Sequence, residues 1–378
     1  MYFKGLNGLR FFAAILVVVT HVESIRKKLG FFNFSDYSLF QTGGLAVQFF
    51  FVLSGFLITY LLLQEKEKTQ EISLKNFYFR RVLRIFPLYY LLAIIGLYIL
   101  PYIILPLFKT PFQAEFDLLT GSFLYLFFLP NLANSCFVTN HLYPLWSIGV
   151  EEQFYLIWAP VMKYFKKYFI AICLSIIAFK IVGLYFLQQN YTHEWFTKFF
   201  ATLQFECMAI GGLGAWWLFF RTEKNLTSHF LFQKTIQIIV LALLASWIFF
   251  KINLSQSDSY VSQIWKFIFN PFTYPIVSSV LFLHLILNVS MNEKSLLKTE
   301  NRILNFLGQI SYGLYMYHIL VVYVVIKIAG KMLSNLNPIL FSTILYTLII
   351  SVLIGICYLS YRFFEKPILK QKSLLQRL

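Results

Sequence analysis

Arg10 and His21 lie eleven positions apart within the first long apolar stretch of the sequence. Eleven helical steps of about 100° bring the two side chains to one face, roughly 16 Å apart along the axis. Ionisable residues are costly inside a membrane, and by default they indicate function. A guanidinium and an imidazole on one face predict a charged substrate and a group that accepts a proton. The structural alternative is an arginine that reaches the interface and a histidine bonded to a neighbour.

Three arginines, Arg80, Arg81 and Arg84, follow further along the chain and are interleaved with aromatic residues. Guanidinium groups bind phosphate through paired hydrogen bonds, so this cluster favours a phosphate-bearing small molecule. Anchoring at the membrane interface is the structural alternative. We expect Pro87 in the first turn of the span that follows.

Two adjacent carboxylates, Glu151 and Glu152, lie in an apolar helical segment that continues to Tyr155. Such groups require partners or a bound proton within a membrane. Neighbours on a helix differ by about 100°, so we expect one carboxylate to face a cavity and the other an adjacent helix.

Three other segments carry weaker signals. Ser311, Tyr315 and His318 lie near one face of a late span, where hydroxyls commonly hold helices together. Glu365, at the last membrane exit, is expected to pair with an arginine near residue 81 and so to support that site. The small residues of 50–56 predict a site where two helices pack closely.

The composition explains why these groups stand out. The chain has 378 residues, of which 59% are hydrophobic and 13% charged, and its mean hydropathy is +0.69. Soluble domains have about 25% charged residues, so the sequence predicts an integral membrane protein built from helices. The net charge of +16 comes from basic residues at span ends, which disfavours nucleic acid as a partner. The four scattered cysteines lack metal-ligand spacing, so we expect free thiols and no metal.

Taken in order, these motifs resemble the acyltransferase-3 family of membrane-bound acyltransferases, the type that O-acetylates bacterial polysaccharides. The resemblance spans nearly the whole chain, and the ordered set is far more specific than any single motif. Its elements are Arg10-x10-His21, Phe51–Phe56, Arg81-x-x-Arg84, Trp146–Tyr155, Ser311–His318 and Phe364–Pro367.

The resemblance implies transfer of an acyl group, usually acetyl, from cytoplasmic acyl-CoA to a hydroxyl of an exported carbohydrate such as O-antigen, peptidoglycan or exopolysaccharide. His21 would be the catalytic base, and Arg10 its partner on the same helix. Glu151 would be the essential acid and would orient the imidazole, as the acid of a triad does. An acyl group carried briefly on His21 is the open alternative to direct transfer.

The other assignments implied by the resemblance concern binding and support. Arg81, Arg84 and Arg80 would hold the phosphates of acetyl-CoA. The residues that would support the substrate or the site are Gln153, Ser147, Tyr315, His318 and Glu365. The expected partners are acyl-CoA, a carbohydrate or lipid-linked glycan acceptor, and the lipid bilayer; a homo-oligomer is left open.

The sequence departs from the family pattern at two positions. Gly149 stands where the family often has a small polar residue. Leu203 stands where it often has an arginine, three positions before Glu206, which puts a role for Glu206 in doubt. No extracytoplasmic SGNH-type esterase domain is recognised, so we expect residues 1–378 to form a single transmembrane domain.

About ten membrane-crossing segments are predicted, and they position these groups. With both termini cytoplasmic, the inside segments hold 21 basic residues and the outside segments 9, which favours this topology. The fourth crossing is interrupted after Pro130 and is broken or re-entrant. The fold class is therefore an all-α integral membrane protein, expected in the cytoplasmic (inner) membrane of a bacterium. The predicted crossings are 8–23, 43–63, 86–108, 118–162, 168–188, 203–220, 236–250, 267–290, 303–326 and 340–361.

Two other classes of function are open. A transporter or flippase of a glycan or an anionic substrate also fits a broken helix with charges near the midplane. A non-catalytic scaffold that keeps the family's shape is the third class. Release of CoA thiol that requires both acceptor and His21 would identify the enzyme, whereas accumulation of unmodified glycan in vesicles would identify the carrier.

Overall fold

The computed structural model describes residues 3–104, 106, 117–137, 140–189, 193–221, 229–253 and 272–371. All regular elements within these ranges are helical, without a strand. Parts of the predicted crossings 86–108, 118–162 and 267–290 lie outside the described residues. The longer helices are, in chain order, α1 (Leu6–Lys28), α2 (Gly43–Thr69), α3 (Leu74–Ile94), α4 (Leu118–Leu126), α5 (Pro130–Cys136), α6 (Leu145–Tyr164), α7 (Phe169–Gln189), α8 (Glu194–Thr202), α9 (Phe205–Phe219), α10 (Lys234–Asn253), α11 (Thr273–Met291), α12 (Arg302–Gln309), α13 (Ser311–Leu333) and α14 (Pro338–Ser360).

Seven helical segments of the described chain are long and apolar enough to cross a membrane. Their length and composition confirm the prediction of an all-α integral membrane protein. The count of ten crossings and the cytoplasmic termini stay predictions. The seven segments are Leu6–Lys28, Gly43–Thr69, Leu74–Ile103, Lys166–Gln189, Thr273–Met291, Ser311–Leu333 and Pro338–Lys370.

The helices group into two compact units. The first comprises Met1–Ile72, Met162–Asn190 and Gln204–Ser311. The second comprises Ser73–Val161, Tyr191–Leu203 and Tyr312–Leu378. The single domain over residues 1–378 stays a prediction.

The third span begins earlier than the sequence predicts, and the placement of Pro87 in its first turn is wrong. Helix α3 begins at Leu74 and contains Pro87 in its interior. Ser73 explains the early start, because its hydroxyl accepts a hydrogen bond from the N–H three residues later and so caps the first turn. Membrane helices tolerate an internal proline where other groups restore the bonding. Near Pro87, the Tyr312 hydroxyl donates to the Ile85 carbonyl oxygen at 3.1 Å, which ties α13 to α3.

Two other predicted crossings are divided into shorter helices. The span predicted at 303–326 is interrupted at Ile310, and the crossing helix is α13. The interruption predicted within 118–162 is present, because α4, α5 and α6 replace one continuous helix. Phe128, between α4 and α5, has a φ of 55°, a left-handed conformation that a helix cannot contain.

Within the first unit, α2 and α9 approach each other through two glycines. A side-chain carbon added to Gly55 would overlap the carbonyl oxygen of Met208, and one added to Gly211 would overlap that of Val52. Each glycine therefore faces the backbone of the opposite helix. The close packing predicted for residues 50–56 is confirmed, and its physical basis is the missing side chain.

We expect Gly55→Ala to lower the free energy of unfolding by about 1–3 kcal/mol, because backbone atoms must move to admit the methyl group. Thermal unfolding in detergent measures the change. Gly44→Ala is the matched control in the same helix, since no atom lies within 4 Å of the added carbon. Equal melting temperatures for the two variants would contradict the close packing of α2 against α9.

Candidate functional site

Arg10 and His21 lie on α1 in the first unit. The Nδ1 atom of His21 is 2.9 Å from the Val17 carbonyl oxygen, one helical turn earlier. A carbonyl oxygen only accepts, so Nδ1 carries the hydrogen in the neutral ring. The lone pair is then on Nε2, and the backbone of α1 fixes both the tautomer and the direction of the ring. This arrangement provides a neutral base with a defined proton-accepting atom.

Arg10 is oriented by a residue that the sequence did not single out. Its guanidinium donates to Oδ1 of Asn7 at 3.1 Å. The amide nitrogen of Asn7 lies 3.5 Å from Oδ1 of Asn305, at the start of α1's contact with α12. A polar residue three positions before an intramembrane arginine was the signal available in the sequence. Arg10 is therefore held by a neighbour on its own helix.

A buried ion pair at the other end of α1 was also missed, because the sequence pattern at 23–28 is typical of the polar end of a span. Arg26 donates to Glu23 at 2.6 Å, and both side chains are 0% exposed. The second carboxylate oxygen of Glu23 accepts a hydrogen bond from the Phe34 N–H. The guanidinium also lies over the Phe34 ring at 5.7 Å. Opposite charges at i and i+3 were the available signal.

In the second unit, α6 presents a polar stripe with a spacing of four residues: Ser147, Glu151 and Tyr155. The Tyr155 hydroxyl donates to Oε2 of Glu151 at 3.0 Å. The hydroxyl oxygens of Ser147 and Tyr315 are 2.7 Å apart, which ties α6 to α13. Because Glu151 is anchored by the next turn of its own helix, its carboxylate has a defined direction.

Arg81 and Arg84 lie on α3, one turn apart, in different surroundings. The Arg81 guanidinium carbon is 5.1 Å from the centre of the Tyr155 ring and 5.7 Å from that of Phe77. Arg84 is exposed, whereas Arg80 is half-buried. The structure therefore brings Arg81 together with the α6 stripe and leaves Arg84 accessible.

Gln153 points away from this stripe and stabilises the interruption between α4 and α5. Its amide nitrogen donates to the Phe128 carbonyl oxygen at 2.8 Å and to Oδ1 of Asn131 at 2.9 Å. In return, the Asn131 amide donates to Oε1 of Gln153 at 3.2 Å. Gly149 makes room for this contact, because an added carbon would lie 2.6 Å from Pro130. These contacts support a structural role for Gln153.

The remaining predicted residues connect helices of the second unit. The Tyr315 hydroxyl also donates to the Pro144 carbonyl oxygen at 3.2 Å. His318 is fully buried, and its Nδ1 donates to the Tyr315 carbonyl oxygen at 2.6 Å. Glu365 accepts a hydrogen bond from Ser360 at 3.1 Å, and the positive charge of Arg84 attracts it.

These features define a multi-pass helical membrane protein that carries a neutral imidazole in one unit and guanidinium and carboxylate groups in the other. Residues 3–361 match the family model described as an acyltransferase domain. The chain therefore belongs to the acyltransferase-3 family, and the resemblance seen in the sequence is confirmed.

Curated relatives include the peptidoglycan O-acetyltransferase OatA of Listeria monocytogenes, 26% identical over 98% of this chain and 56% of the relative. The O-acetyltransferase OatA of Staphylococcus aureus is 27% identical over 98% of this chain and 58% of the relative. The chain thus spans a little over half the length of these relatives. No solved structure matches it.

Gln153→Ala is expected to destabilise the second unit by about 1–3 kcal/mol, because it leaves the buried Asn131 amide without its reciprocal partner. The melting temperature of Gln153→Ala is compared with that of the control variant Leu156→Ala. Leu156 lies three residues later on α6 and is 66% exposed, so its truncation should change little. If the two variants unfold alike, Gln153 does not stabilise the interruption.

Proposed function

We propose that the protein is an O-acetyltransferase of the bacterial cytoplasmic membrane. It moves an acetyl group from cytoplasmic acetyl-CoA to a hydroxyl of an exported cell-surface carbohydrate. Membership of an acyltransferase family supports the reaction class. The names of two relatives, one of them a peptidoglycan O-acetyltransferase, support acetyl as the group and a cell-wall glycan as the acceptor.

The observation that carries the proposal is the bond between Nδ1 of His21 and the Val17 carbonyl oxygen. It leaves the lone pair on Nε2, which can accept the proton of an acceptor hydroxyl. As the proton leaves, the hydroxyl oxygen attacks the thioester carbonyl carbon. The carbon–sulfur bond then breaks, and the sulfur takes the proton from the imidazolium and departs as free CoA thiol.

The arginine cluster supports an acyl donor that carries phosphates. Arg80, Arg81 and Arg84 place three guanidinium groups within two turns of α3. Guanidinium binds phosphate in a paired geometry that an ammonium group does not reproduce. We assign the phosphates of CoA to the exposed side of this cluster, where Arg84 lies. Glu151 keeps its sequence-based assignment as the essential acid.

Arg10 is assigned to orienting a polar group along the face of α1 that carries His21. Its bond to Asn7 holds the guanidinium near the start of the helix. Ser147, Tyr315 and His318 are assigned to support, because each of them connects helices or bonds to the backbone.

We expect His21→Ala to lower the rate of acetyl transfer by about 10²–10⁴-fold, the usual contribution of a general base. The measurement is release of CoA thiol by purified protein in vesicles with acetyl-CoA and a peptidoglycan glycan strand, with acetylation confirmed by mass spectrometry. His284→Ala is the matched control, because His284 is another half-buried histidine of the first unit and bonds to the Leu231 carbonyl oxygen.

Thiol release that is unchanged in His21→Ala would overturn the assignment of the base. Accumulation of unmodified glycan in the vesicles, without thiol release, would replace the enzyme with a carrier. The interruption between α4 and α6 is the structural observation that keeps the carrier as the second candidate.

A further inference from the structure

Arg81 and Arg84 form one sequence motif, but their surroundings differ in exposure and in charge. Arg81 is half-buried between the Phe77 and Tyr155 rings. Arg84 is exposed and makes no hydrogen bond or ion pair within the described part of the chain. Two residues with such different environments are expected to differ in function.

The acidic groups near Arg81 favour a guanidinium that stays at this position and offsets their charge. Two carboxylates, Glu152 and Glu151, attract its guanidinium, whereas Arg84, one turn later on α3, repels it. One oxygen of Glu152 is inaccessible to solvent and has no hydrogen-bond partner among the described residues. A buried carboxylate in that position requires a counter-charge. A phosphate brought to Arg81 would have to compete with these α6 groups for the guanidinium.

Tyr155 connects Arg81 to the acid of the family motif. Its ring lies under the guanidinium at 5.1 Å, and its hydroxyl donates to Oε2 of Glu151 at 3.0 Å. A cation over an aromatic face fixes the position of the ring, and the ring in turn fixes the hydroxyl. Movement of Arg81 would therefore be transmitted to the Glu151 carboxylate.

The charge around Arg84 is more favourable for an anion. Its nearby carboxylate is Glu365, which already accepts a hydrogen bond from Ser360. The exposed guanidinium retains its paired N–H donors for a ligand. Phosphate binding by guanidinium is strongest where such donors are accessible and not outnumbered by acids.

We propose that Arg81 and Tyr155 are positioning residues that hold Glu151, and that Arg84 alone of this pair contacts the phosphates of the acyl donor. The inference rests on the proposed function for the part that concerns Arg84. The part that concerns Arg81 is a statement about charge balance within the second unit, and it can be tested without any donor.

The first experiment measures stability. Arg81→Gln should lower the melting temperature by several degrees, because it leaves two carboxylates without their counter-charge. Adding Glu152→Gln should restore most of the loss, whereas Arg84→Gln should unfold like the wild type. Failure of the second substitution to restore stability would overturn the pairing of Arg81 with the α6 carboxylates.

The second experiment measures binding of CoA to the purified protein by calorimetry. Arg84→Gln should weaken binding about tenfold or more, the effect of losing a charge-assisted contact. The Arg81→Gln/Glu152→Gln double variant should bind within about threefold of the wild type. Arg302→Gln is the control, an exposed arginine of the first unit whose loss should change nothing.

Kinetics separate positioning from binding. Tyr155→Phe keeps the ring and removes the hydrogen bond to Glu151, so kcat should fall about tenfold with KM for acetyl-CoA unchanged. Arg84→Gln should raise KM with kcat nearly unchanged.

Equal loss of CoA binding in the Arg81 double variant and in Arg84→Gln would overturn the division of roles. A wild-type protein that binds no CoA would overturn the proposed donor and the role of Arg84 with it. In that case the stability experiment still decides the role of Arg81.

Discussion

A polar group within the lipid bilayer has no water to bond with, so its partner must come from the protein itself. This constraint accounts for most of the contacts described above. Glu23 and Arg26 neutralise each other with both side chains fully buried. Gln153 and Asn131 exchange amide hydrogen bonds beside an interruption of the helix. The chain places few charges in its spans, and several of those that the structure describes have a partner or a nearby counter-charge.

The sequence predicted the helical membrane fold and the identity of the family, because long apolar runs and ordered motifs are local properties of the chain. The close approach at Gly55 was also predictable, since a small residue within an aromatic run of a membrane helix is typical of a close helix contact. The start of α3 was not predicted, although Ser73 is a recognisable cap. The prediction placed the start of the span near Pro87, thirteen residues after Leu74, whereas a membrane helix tolerates a proline in its interior.

The candidate site was predicted only as a set of residue types. Spacing placed Arg10 with His21, because this relation depends on helix geometry alone. It could not separate Arg81 from Arg84, since the difference arises from Tyr155 on another helix. Asn7 and the Glu23–Arg26 pair were missed for the same reason: their importance lies in burial and contact, which a single sequence does not show.

The hydrogen bond from the His21 ring to the Val17 carbonyl oxygen is internal to α1. Through this bond, the helix that carries the imidazole helps to set the orientation of the ring. If neighbouring helices shift during the proposed reaction, the bond to Val17 still holds the ring relative to α1. In the proposed reaction, this bond would keep the ring in one tautomer from one turnover to the next.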